Sequence, residues 1–112
     1  MQSDNRYDEL YQILMEAFRQ SAEGKGKERH ANELPWVAQP ILSITRSVGI
    51  GFPTGQAIKK LTEGVGMLNR CELEKARAEF LGAIVYSAAA IRYIDELLPH
   101  NPDVNEQARK LI

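Results

Sequence analysis

Phe80-Leu81-Gly82-Ala83-Ile84-Val85-Tyr86-Ser87-Ala88-Ala89-Ala90-Ile91 is the stretch that decides the fold. Laid on a helix, its apolar character wraps nearly the whole circumference, and a helix apolar all round is a buried one. The small residues Gly82, Ala83, Ser87, Ala88, Ala89 and Ala90 let neighbouring helices approach closely. Outward from this stretch, Leu73, Ala76, Phe80, Ile84, Ala88 and Ile91 fall on one face at helical spacing. Asn69 with Glu72 three residues on resembles a capping box, and Pro99 is a stop. The sequence therefore predicts a long central helix over about 70–98, with its 80–91 segment hidden.

The flanking segments read as shorter helices. Tyr7, Leu10, Tyr11, Leu14 and Phe18 recur at three- and four-residue steps, with Ile13 and Ala17 widening the stripe. Asn5 is placed to cap that helix and Gly24 to end it. An aromatic stripe at this spacing is expected to be core. Pro40 suits the first turn of a helix over 41–48, with Ile41, Ile44, Thr45 and Val48 on one face. Trp36 is expected to pack where the preceding loop rejoins the body. Gly49 to Gly55 reads as a turn, and Thr54 as the cap of a helix carrying Ala57, Ile58, Leu61 and Val65, ended by Gly64 and Gly66. Asp103 and Glu106 suggest a last capping box, before a short helix with Val104, Ala108 and Leu111. The fold class is all-α: a four- or five-helix bundle around one long central helix.

A chain of 112 residues is expected to form a single helical domain over 1–112. Its 14 basic and 15 acidic residues leave a net charge of −1, so no global field draws it to nucleic acid or an anionic membrane. Cys71, the only cysteine, has no partner for an internal disulfide, which fits a reducing compartment. The polar start, Met1-Gln2-Ser3-Asp4-Asn5, is unlike a signal peptide, and 80–91 is too short to span a bilayer. A cytoplasmic location is expected.

Chemistry-bearing patterns are few. Lys25, Lys27, Arg29 and His30 lie within six residues beside Gly24 and Gly26. They form either an anion or partner contact or an ordinary solvated loop offset by Glu28 and Glu33. The glycine turn at 49–55 feeds a helix start with Gln56, Lys59 and Lys60, where a phosphate could sit. It departs from the Walker pattern, since Gly51 and Gly55 have three residues between them and Gln56 follows. His30 and His100 lie in separate loops, so no metal set forms by spacing. No cofactor is implied. Cys71, near the start of the long helix, lacks a neighbouring base and reads as a plain cysteine.

Gly24-Lys25-Gly26-Lys27-Glu28-Arg29-His30, Pro35-Trp36, Gln39-Pro40, Gly55-Gln56-Ala57-Ile58-Lys59-Lys60 and Glu79-Phe80-Leu81-Gly82-Ala83-Ile84 together form a pattern. It is similar to that of small helical proteins of phages, prophages and other mobile elements. The resemblance implies that Lys25, Lys27, Glu28, Arg29, His30, Gln39, Gln56 and Lys60 share one surface, and it brings no established activity.

Three functional readings stand. The first is a non-enzymatic binding module for a protein partner or for itself as a homodimer, touching its partner through Lys25, Lys27, Arg29, His30, Gln56, Lys59 and Lys60. The second is nucleic-acid binding, with helices 41–48 and 55–63 imitating a helix-turn-helix; the long intervening turn and negative charge oppose it. The third is a Mg²⁺-dependent nucleotide pyrophosphohydrolase of the MazG-like type. None of Glu9, Glu16, Glu63, Glu72, Glu74 and Glu79 is followed by an acidic residue three positions later, which leaves Glu16, Glu79 and Asp95 to converge in space.

Overall fold

Pro40 opens a helix and Gly49 closes it, and the two-residue link Gly49-Ile50 then forces the chain straight into the next one. Gly49 takes φ 96°, a left-handed turn conformation that costs a residue without a Cβ little. The computed structural model describes residues 5–23 and 34–98. Among them are four α-helices: α1 (Asp8–Ala22), α2 (Pro40–Val48), α3 (Gly51–Asn69) and α4 (Leu73–Leu97). Short 3-10 turns at Asn5–Tyr7 and Trp36–Ala38 precede α1 and α2. The all-α fold is built on the long α4, which contacts each of the other three helices. The expected last helix near Val104, Ala108 and Leu111 lies outside the described residues, as does the basic stretch 25–30.

Several local expectations are corrected. Tyr7, not Asn5, holds the N-cap position of α1. Thr54 does not cap α3, which begins at Gly51 and carries Pro53 in its first turn, where a missing amide costs no hydrogen bond. Gly64 and Gly66 lie inside α3 rather than ending it. The reason at Gly64 is a close helix crossing: a Cβ there would come within 2.7 Å of the Phe80 ring on α4. Packing of that seam offsets the roughly 1 kcal/mol that a mid-helix glycine costs against alanine.

Asn69 ends α3 instead of capping α4. Cys71, at φ 61°, makes the turn between them. Its amide donates to the Leu68 carbonyl at 3.0 Å, and the Glu72 amide donates to the Met67 carbonyl at 2.9 Å. This is a Schellman ending with cysteine where glycine usually sits.

The side chains in the helix seams are mostly small. Ala17 of α1, Leu42 and Thr45 of α2, Pro53 and Gly64 of α3, and Ala76, Leu81, Gly82, Ala83 and Ala89 of α4 are the buried ones. Thr45 is fully covered because its hydroxyl donates to the Ile41 carbonyl at 2.6 Å, which spares it an unpaired polar atom. On α2 it is Leu42 and Thr45 that face inward, while Ile44 and Val48 face outward, a rotation of the expected stripe. Trp36 is half-buried in its 3-10 turn.

Two larger expectations fail. The 80–91 segment is covered on one side only: Leu81, Gly82, Ala83 and Ala89 are buried, whereas Phe80, Ser87, Ala88 and Ile91 are exposed. The aromatic stripe of α1 is not core, with Tyr7 63% and Phe18 58% exposed and Leu10, Tyr11 and Leu14 open beside them. α1 leans on α4 through a narrow seam, in which the Gln20 amide donates to the Ala78 carbonyl at 3.1 Å and Arg77 pairs with Glu16. That seam uses the Glu16, Ala17 and Gln20 side of α1, which leaves the stripe through Tyr7, Leu14 and Phe18 turned outward.

Candidate functional site

Lys60 projects from α3 onto α4, where no Cβ stands in its way: one at Gly82 would meet the Lys60 stem at 2.7 Å. Its ammonium pairs with Glu79 at 3.4 Å and lies 6.0 Å from the centre of the Tyr86 ring. The Tyr86 ring in turn meets Phe52 edge-on at 6.0 Å. Lys60 is thus part of the α3–α4 seam, its charge already matched. Gln56 is half-buried beside it, while Lys59 points elsewhere, exposed and 3.9 Å from Glu63. The start of α3 therefore does not gather Gln56, Lys59 and Lys60 into one anion cradle.

The helix-turn-helix comparison fares no better. The link is two residues, shorter than the long turn expected and shorter than the three or four of such motifs. The side of α3 that faces solvent is largely apolar, with Ile58, Leu61, Val65 and Leu68, and its exposed lysine, Lys59, lies beside Glu63.

The carboxylates considered for a metal are dispersed. Glu16 is held by Arg77, and Glu79 by Lys60. Asp95 sits sixteen residues beyond Glu79 on α4, about 24 Å along the axis. Among the described residues no group of three metal-ligating side chains comes together.

An open cleft between α1 and α4 is lined by Glu16, Arg19, Gln20, Glu74 and Arg77. Its charges balance. The hydrogen bond from Arg77 holds the Glu16 carboxyl below its ordinary range, a carboxylate tied down rather than poised as a base.

A further ion pair joins elements. Arg46 grips both oxygens of Glu96 at 2.8 Å and donates to the Val37 carbonyl at 2.8 Å, tying α2 to α4 and to the turn before it. That fork depresses the Glu96 pKa and raises that of Arg46. Glu72 is lowered by hydrogen bonds from Arg70 and then Lys75 at the start of α4.

What sets this surface apart is apolar. Nineteen large hydrophobic side chains of the described residues are exposed, a number no scattering of single surface residues accounts for. Two lines stand out, Tyr7 at the start of α1 with Leu10, Leu14 and Phe18 along it, and Ile58, Leu61, Val65 and Leu68 on α3, while Leu73, Phe80, Ile91, Ile94 and Leu97 are exposed on α4. At roughly 200 Å² per large side chain, the α1 stripe with Tyr11 and Ile13 exposes about 600 Å². Its periodicity was legible in the sequence, but not its exposure. The α3 line was cut short by taking Gly64 and Gly66 as a stop; reading through them reveals it. No described helix is long and apolar enough to cross a membrane.

Compared with protein families, curated proteins and solved structures, the chain finds no match in any of the three.

Proposed function

We propose that this protein is a non-enzymatic interaction module of the accessory kind that mobile elements carry, acting in the cytoplasm by offering apolar helix faces to a protein partner. The observation that carries this reading is the open stripe of Tyr7, Leu10, Leu14 and Phe18 along α1. An exposed apolar line of this area, with aromatic anchors and charged residues at its margins, has the composition of an interface centre and rim. The matched state of Lys60, Glu79 and Glu16 supports a binding role over a catalytic one, because each cation or carboxylate is already spent on a helix contact. Lys25, Lys27 and Arg29 belong to the proposal as a charged contact that steers the encounter.

A photo-reactive residue placed at Leu14, in the cell that naturally makes the protein, tests the reading. One discrete adduct with a different protein is expected. Tyr7→Gln with Phe18→Gln should remove it, and alanine at Lys25, Lys27 and Arg29 should weaken it. No adduct, or adducts only between copies of the chain itself, would overturn the proposal.

A further inference from the structure

Beside the face that α3 packs on α4, a second line runs along the same helix: Ile58, Leu61, Val65 and Leu68, at steps of three, four and three. All four are between 41% and 59% exposed. In heptad terms the β-branched Ile58 and Val65 take the a positions, and Leu61 and Leu68 the d positions. That choice favours two parallel helices packed against each other. We infer that α3 is a contact between two copies of this chain, Ile58, Leu61, Val65 and Leu68 of one meeting the same four residues of the other.

Three observations name a second copy as the occupant. A two-fold contact needs a patch that fits itself, and an a/d seam set in register does so. The flanking e and g positions of α3 are Ala57, Thr62, Gly64 (covered by the Phe80 ring) and Asn69, all uncharged, so these positions bring no like charges together, and the net charge of −1 adds almost no long-range repulsion. The area is also sufficient. About half of four large side chains comes to roughly 400 Å² of apolar surface. With the usual apolar share near 60%, that implies about 1,300 Å² buried over both copies, inside the range of stable interfaces. Two heptads alone would be too short to hold an isolated helix, but α3 is already held helical by α4, so the seam has only docking to accomplish.

The inference shares with the proposed function the premise that open stripes are contacts, yet it concerns the purified chain alone. Sedimentation equilibrium of the full chain at micromolar concentrations tests it. The expected mass is twice 12.6 kDa, falling to 12.6 kDa for the Leu61→Glu, Leu68→Glu variant with its helical circular dichroism retained. A wild-type mass of 12.6 kDa throughout would overturn the inference and leave the stripe to another protein or to another part of this chain. Dimers that persist in the folded double variant would also overturn it.

Should that variant fail to fold, Val65→Cys combined with Cys71→Ser decides. Mild oxidation should link copies through residue 65, and a chain that stays unlinked contradicts the seam. Tyr7→Gln with Phe18→Gln should leave the dimer mass unchanged, so loss of the α1 partner and loss of self-association are separable.

Discussion

Cys71 holds a backbone conformation that L-residues with a Cβ adopt at a cost of about 1–2 kcal/mol. Its Schellman hydrogen bonds fix that conformation, so the strain persists in the folded state. Cys71→Gly removes it, while glycine's greater freedom in the unfolded chain takes part of the gain back. The expected outcome is a net stabilisation of about 0.5–1 kcal/mol in urea unfolding, and a loss of stability would show that the turn is not strained there. The sequence did not reveal this turn, because Asn69 and Glu72 imitate a capping box and cysteine is not a turn signal. Gly49 and Pro40 were legible because each has one dominant backbone role: glycine ends α2 and proline opens it. Gly64 misled for the opposite reason. A glycine required by the Phe80 ring looks, in sequence, the same as one that ends a helix.

Helical periodicity located every α-helix the structure describes, and α4 was placed to within a few residues at each end. What periodicity cannot say is which apolar face is covered. The α1 stripe was right as a stripe and wrong as core, and 80–91 is closed on one side and open on the other. Among the charged candidates, Lys60 and Glu16 were recognisable as ionisable but not as already paired. Ion pairs at the surface contribute to the acid response. Hydrogen bonds from their arginine partners hold the Glu16, Glu72 and Glu96 carboxyls below the ordinary glutamate range, so their pairs add stability above that range and lose it as pH falls through it. Arg46→Gln should therefore shrink the drop in unfolding midpoint between neutral and acid pH, by freeing Glu96 from its fork. An acid drop unchanged from wild type would mean that the fork does not anchor α2.

At the scale of the whole molecule, alanine and glycine make up half or more of the buried seam residues, with Leu42 and Leu81 the large ones, while many leucines, isoleucines and the aromatics of α1 line the outside. Small side chains permit close crossings but remove little apolar area from water, and such area is the main stabilising term for a domain of this size. On the proposed reading, the missing burial comes from another chain. Assembly of that kind couples folding to concentration, since anything that binds only the folded state raises its apparent stability. The thermal midpoint of the purified protein, followed across a hundredfold dilution series, puts this most directly to the test. A midpoint that falls steadily on dilution is expected. Identical melting curves at every concentration, from a species of 12.6 kDa, would contradict it.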